Sequence, residues 1–306
     1  ALLAWRCGRR PGGAALTLAW PALPGRAALL REAREGCGLF EVPDRHGRGE
    51  FLSEEELMWT REYSPGGAWQ FWSLGRPKKE IVRLVEDASF PADGLSAVVL
   101  GCGVGVEVDY LARRAGAGAA AAAAGMAARA PANCVAGVDF ALPAVQRARD
   151  SYGATDGAFF HHADVLRLPA PRAPLDLVVD NTVLQNVLRG EDGDLDRYLG
   201  ALRRISLPGH TVLNVNLMSQ EGFLQQPGFA ECGEALNLPL VRAEQISAAL
   251  GGDWEVLDQR EGLYDLSPEA VGIECEAFYE FGGSATPGIP SHWLLLRRRA
   301  GPEPDG

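Results

Sequence analysis

Val98-Val99-Leu100-Gly101-Cys102-Gly103-Val104-Gly105 is the stretch whose reading decides the fold. Its three apolar, partly β-branched residues read as the end of a buried strand. Three glycines at alternate positions follow, and a helical run opens near Val106 with Glu107, Tyr110, Leu111 and Arg114. Strand, glycine turn and helix are the context in which a glycine-rich loop carries chemistry. Without Cβ atoms the backbone turns sharply and lets a ligand approach its N–H groups. The start of the next helix adds unpaired donors and partial positive charge. The spacing is G-x-G-x-G, and Val106 stands where a dinucleotide fingerprint has its third glycine, which disfavours a nicotinamide or flavin site.

Three further stretches follow in order. Val135-Ala136-Gly137-Val138-Asp139 is a strand ending in an acid, His162-Ala163-Asp164-Val165 a turn, and Leu175-Asp176-Leu177-Val178-Val179-Asp180-Asn181 a strand ending in polar residues. Together with the glycine loop they resemble the ordered motifs of the class I S-adenosylmethionine-dependent methyltransferases, over roughly Leu95 to Val215. One departure stands out. Many family members carry an acid two residues before the first glycine, and here that position is Val99. Some thiopurine-type small-molecule methyltransferases also lack it, and the chain resembles them in this.

The resemblance implies an α/β, doubly wound sheet of seven strands, mostly parallel, with an antiparallel last strand. It implies S-adenosylmethionine as cofactor, held by Gly101, Cys102, Gly103, Gly105, Asp139, Phe140, Asp164, Val165, Asp180 and Asn181. Asp139 would take the ribose hydroxyls and the Asp164 turn the adenine. The Asp180 strand end would lie beside the methyl group, which makes Asp180 the candidate general base, although methyl transfer does not require one. Asp180, Asn181, Gln185 and Asn186 sit where ligands bind in open α/β sheets, and capping of the next helix is the competing reading for the first two.

The chain has 306 residues, enough for one large α/β domain with appendages. Apolar residues make up 47%, so a globular core is expected, and 29 basic against 40 acidic residues give a net charge of −11. That balance disfavours nucleic acid, whose affinity rests largely on phosphate neutralisation. The scattered Cys7, Cys37, Cys102, Cys134, Cys232 and Cys275 form no C-x-x-C pair, which fits a reducing, intracellular and cytoplasmic setting. No apolar run is long enough to span a bilayer, and no metal site is expected.

Residues 1–50 read as an N-terminal extension and 51–300 as the methyltransferase domain, with 301–306 a disordered tail. Residues 1–31 hold five arginines and no acid, which reads first as an Ala- and Arg-rich linker and, as the alternative, as an organelle transit segment. Leu39 to Leu57 resembles a degenerate EF-hand, but His46 and Arg48 stand at ligand positions. A turn and a helix capped by Ser53 are the expectation there, with no calcium bound. Residues 57–72 carry Trp59, Tyr63, Trp69, Phe71 and Trp72. They read as a helix anchored by aromatics and as a lid, hinged at Pro65-Gly66-Gly67, that gives Tyr63, Trp69 and Trp72 to the acceptor with Gln185. Residues 115–130 are nearly all Ala and Gly and read as a mobile insertion that stretches the Gly105–Asp139 separation. His161 and His162 lie in a strand, point to opposite faces and read as a strand end near the adenine.

Later strands are expected at Thr211–Val215, Trp254–Leu257 and Ser291–Arg297. A polar-aromatic insertion at 258–290 holds Asp265, Glu274, Glu276 and Glu280, which read either as acids of an acceptor pocket suited to neutral or cationic molecules or as ordinary solvent-facing acids. The expected activity is methyl transfer to a small-molecule acceptor. A protein side chain as acceptor, a non-catalytic cofactor-binding partner subunit and, least favoured, a nucleotide-dependent oxidoreductase remain open.

Overall fold

The computed structural model describes residues 20, 23–35, 38–42, 53–67, 69–87, 94–114, 133–225, 238–267 and 288–301. The EF-hand-like loop, the Ala/Gly run and Glu274, Glu276 and Glu280 lie outside them, as do most of the basic N-terminus and the tail beyond Gly301.

Seven strands form one sheet: β1 (Ser96–Leu100), β2 (Cys134–Asp139), β3 (Ala158–His162), β4 (Leu177–Asp180), β5 (Val212–Met218), β6 (Trp254–Asp265) and β7 (Gly288–Arg298). Their order is β3-β2-β1-β4-β5-β7-β6. The pairs among β3, β2, β1, β4 and β5 are parallel, while β7 is antiparallel to both β5 and β6. The central strands are buried on both faces, which is why they read as unbroken apolar runs.

Side chains alternate across the sheet and build two cores. On one face Ala97, Val99, Val135, Leu177, Val179, Trp293 and Leu295 pack under α4 (Lys79–Asp87), α5 (Val106–Arg114) and α6 (Leu142–Tyr152). On the other, Val98, Leu100, Val138, Val178, Val215 and Leu294 pack against α8 (Asp194–Ile205) and α10 (Ala243–Leu250). The helix α1 (Arg26–Glu35) joins this second core through Leu30 and Ala33, and Leu39 and Phe40 follow it in. The other helices among the described residues are α2 (Glu54–Glu62) and the short α3 (Trp69–Trp72), α7 (Val183–Val187) and α9 (Gln220–Leu224). Ser53 caps α2, its hydroxyl accepting from Glu56 N at 3.1 Å.

Three strands run past their expected ends, β5 by three residues to Met218 and the last two by more. β6 continues past Leu257 to Asp265, and β7 begins at Gly288, so the insertion shrinks to 266–287. The reason is pairing: β6 is half-exposed, and its polar run Asp258–Glu261 hides a strand that hydrogen-bonds to β7 along its length. Pro290 fits inside β7 because its carbonyl, the group a proline still offers, accepts from Ser219 N at 2.8 Å.

A buried polar network fixes the opposite end of the sheet from the glycine loop. Asp176, just before β4, accepts from Arg26 Nη2, from Ser96 N at 2.8 Å and from His210 Nε2 at 2.9 Å. Arg26 also donates to Gly94 O at 2.8 Å, and Trp20 Nε1 to Asp176 O at 3.2 Å. Breaking a buried ion pair from one side strands the other charge. Arg26→Ala should therefore lower the unfolding free energy by about 3–5 kcal/mol, read from urea denaturation.

Candidate cofactor and acceptor site

The glycine loop leaves β1 in the middle of the sheet, where the chain connections part to either side. Cys102 N donates to Val138 O at 3.0 Å, extending the β1–β2 ladder one residue into the loop. Gly103 has φ 52° and Gly105 φ 87°, values that a Cβ disfavours. At Gly105 an added Cβ would lie 2.6 Å from Phe160 Cε1 and 2.9 Å from Ala148 Cβ, so that glycine seats α5 against α6 and β3. At Gly103 it would lie 2.7 Å from the Tyr63 hydroxyl. The middle glycine is therefore covered by Tyr63, a side chain from a segment outside the sheet. Burial pushes the Cys102 thiol well above its ordinary range, so it is an inert wall residue.

Asp139 closes β2 and grips two loops. Its Oδ2 accepts from Gly103 N and its Oδ1 from Ala141 N, both at 2.8 Å. Burial raises its carboxyl to about 6, and the backbone N–H groups of Ala141, Gly103 and Phe140 oppose that rise. Ala163 N donates to Asp139 O at 2.9 Å, which brings in the loop after β3. There Asp164 accepts from Leu166 N at 2.9 Å, capping a single 3-10 turn that contains the buried Val165. His162 Nε2 lies 3.0 Å from Phe140 O. His161 turns the other way, edge-on to Phe40, and burial lowers it to about 4, leaving it neutral. Glycine loop, Asp139, Phe140, Asp164 and Val165 thus lie together at the C-terminal ends of β1, β2 and β3, joined by these hydrogen bonds.

At the end of β4 the strand alternation separates two neighbours. Asp180 is fully buried and points to the α8 side. It accepts from Val183 N at 2.7 Å, from Leu184 N at 3.0 Å and from the Tyr198 hydroxyl. Thr182 N gives a further backbone bond. Four donors fill the acceptor capacity of a carboxylate. Burial still raises it, to about 6. This is a helix cap and strand anchor, and it takes the side chain out of the general-base role that sequence position suggested. Asn181 falls on the opposite face, half-exposed, with Asn216 Nδ2 at 3.5 Å from its Oδ1. Gln185 is buried, its Oε1 accepting from Met218 N at 2.9 Å, so it fastens α7 to β5. Between the two groups Thr182 has φ 89°, a left-handed conformation that β-branched residues avoid. The grip of Asp180 on the next two N–H groups holds it there.

The aromatic segment covers the loop. Tyr63 closes α2 with its hydroxyl above Gly103, and Trp59 packs between Tyr63 and Trp72 with ring centroids at 6.3 and 6.5 Å. Burial, then the Asp139 carboxylate, hold the phenol well above its ordinary range, so it is a neutral donor. Trp69 lies under the Arg147 guanidinium, 4.8 Å from its ring centroid. Of the acids expected around the acceptor, Asp265 is wholly buried and accepts from Lys79 N at 3.1 Å, with Arg76 at 3.5 Å. It therefore closes the start of α4 and does not line a pocket. Reading the sequence missed Tyr198, Thr182, Asn216, Lys78 and Arg147. Each acts through a partner far away in the chain or through a backbone angle, and neither leaves a local signal.

Residues 98–213 match the family model described as "Methyltransferase domain". No curated protein matches the sequence. Among solved structures, a SAM-dependent methyltransferase from Anabaena variabilis ATCC 29413 superposes with a TM-score of 0.54 at 14% identity, covering 84% of this chain and 100% of that one. A protein solved for "Conversion of a Disulfide Bond into a Thioacetal Group during Echinomycin Biosynthesis" gives 0.53 at 22% identity, with 80% and 91% covered. Phospholethanolamine N-methyltransferase 2 of Haemonchus contortus gives 0.50 at 14%, with 80% and 58% covered. At these identities the likeness is one of fold. Replacing Thr182 by glycine removes the left-handed strain, which is of order 1–3 kcal/mol, against about 0.5–1 kcal/mol for the freer backbone. Thr182→Gly should thus raise the melting temperature, as calorimetry would record.

Proposed function

We propose that this chain, whose residues 98–213 match a methyltransferase-domain model and lie in a seven-stranded sheet, transfers a methyl group from S-adenosylmethionine to a small-molecule acceptor. The observation that carries the reading is the clip of Asp139 across the glycine loop. It leaves a side-chain-free backbone at Gly103 and, beside it, a carboxylate whose three backbone donors leave one acceptor lobe free, a combination that suits a ligand with a hydroxyl group and a thin chain. These residues fit S-adenosylmethionine: the backbone of Gly101–Gly105 and the start of α5 on its amino-acid end, Asp139 and Phe140 on its ribose, Asp164 and Val165 on its adenine.

When bound, the cofactor supplies a methyl carbon activated by sulfonium, so that an acceptor lone pair forms the new bond as the carbon–sulfur bond breaks onto sulfur and the acceptor's proton leaves to solvent. What the chain contributes is placement. Asn181 and Asn216 offer amides at the end of β4, and the aromatic segment shields the cradle from water. Holding two reactants aligned is worth about 7–11 kcal/mol of a barrier, so the saturated Asp180 need not serve as a base. The close cover over Gly103 favours a small molecule over a protein side chain as acceptor.

Titration calorimetry with S-adenosylmethionine and NAD side by side tests the reading. Binding of the first and not the second is expected, followed by methyl transfer in a small-molecule screen. Binding of NAD alone would sink it. Asp139→Ala should cost about 1.5–3 kcal/mol of cofactor affinity, as loss of a charged acceptor does. Because burial holds the Asp139 carboxyl near 6 in the free protein, cofactor affinity should fall as pH drops through 6, where the group becomes neutral. Asp139→Asn should flatten that dependence. For stability the sign is opposite. A carboxyl raised from 3.8 disfavours the fold above pH 6, and that penalty fades toward pH 4.

A further inference from the structure

The turn between α2 and α3 is bound to α6 by one arginine. Arg147 Nε donates to Tyr63 O at 3.3 Å, and the same guanidinium stacks on Trp69. Tyr63 and Trp69 stand on the two sides of Gly66 and Gly67, and Gly66 has φ 86°. A Cβ on Gly67 would collide with Glu62 O, so the turn is folded hard against the end of α2. Arg147 therefore spans the turn and holds both its sides. The downstream end is anchored separately: Lys78 Nζ donates to Trp72 O at 3.4 Å and to Asp265 O at 3.2 Å, and lies 3.8 Å above the Tyr264 ring.

Arg147 holds the turn, and its reach to the glycine loop runs through Tyr63, whose hydroxyl overhangs Gly103. The helix that carries Arg147 begins at Leu142, one residue after the Ala141 N–H that Asp139 holds. Clip and latch are thus set on the same rigid element. We infer that Arg147 is a positioning residue that, by gripping Tyr63 and Trp69, keeps Tyr63 closed over the cradle and so sets how long the cofactor and its product stay bound. This rests on the reading of the cradle as an S-adenosylmethionine site. A planar guanidinium can stack on Trp69 and donate to Tyr63 at once, whereas an ammonium can keep the hydrogen bond but not the planar stack.

Stopped-flow displacement of S-adenosylhomocysteine from the full chain measures the effect. Loss of a cation–π contact together with a hydrogen bond should raise the dissociation rate about tenfold in Arg147→Ala. The association rate and the melting temperature should stay close to those of the wild type. Arg147→Lys should recover part of the loss, and Tyr63→Phe should speed release through the hydroxyl alone. A dissociation rate in Arg147→Ala equal to wild type would overturn the inference while leaving the proposed function standing. So would faster release accompanied by an equal fall in melting temperature in both Arg147 variants. Failure of the wild type to bind S-adenosylhomocysteine at all would instead overturn the function on which it rests.

Discussion

Two backbone N–H groups shared by one carboxylate give the crevice its shape. Gly103 and Ala141 belong to loops that leave adjacent parallel strands, and without a common acceptor each loop is free to drift. Asp139 accepts from both, at 2.8 Å each, from a buried position. The glycines follow from this geometry. Gly103 must leave room for Tyr63 over it, and Gly105 must let α5 settle against Phe160 and Ala148. The elevated carboxyl of Asp139 follows as well, since a group drawn into the protein to hold two loops has lost the water that would favour its charge.

The end of β4 is governed by alternation. Asp180 and Asn181 are neighbours in sequence but lie on opposite faces of the sheet, one sealed against Tyr198 and the other open to the cleft. The acid serves the scaffold and the amide faces the site. A left-handed Thr182 is the local strain of turning directly from strand into helix over so short a distance, and the bonds to Asp180 stabilise it. The proposed methyl transfer, which works by alignment, has use for such rigidity, because misplacement of the reacting atoms is what it must prevent.

Much of this was legible in the sequence, and the reasons for the rest are physical. The first four strands and the glycine loop were readable because fully buried parallel strands are apolar throughout and glycines at alternate positions mark a turn. Asp139 was found because it ends a strand. β6 escaped because an edge strand with one wet face loses its apolar signature; it took the pairing with β7 to reveal it. The role of Asp180 was misjudged because position gives the strand end but not the face. The Arg26–Asp176–His210 network joins segments about 150 and 34 residues apart, and nothing in the neighbourhood of any one of them announces the others. Arg26 looked like part of a compositionally biased leader, yet its charge lies in the interior.

The strand order has a consequence for how the molecule is assembled. β7 follows the other six strands of the sheet in sequence but lies between β5 and β6. During synthesis from the N-terminus, β6 emerges with no neighbour to pair with, and the buried edge of β5 waits unpaired beside it. Both are completed in one event when Ser291–Arg298 arrives and forms ladders on two sides. Until then the nascent domain presents an open apolar edge, the kind that recruits other chains. Trimming a few residues from the end of β7 would thus open the sheet in its interior, where a similar loss from an outer strand would only shorten its rim.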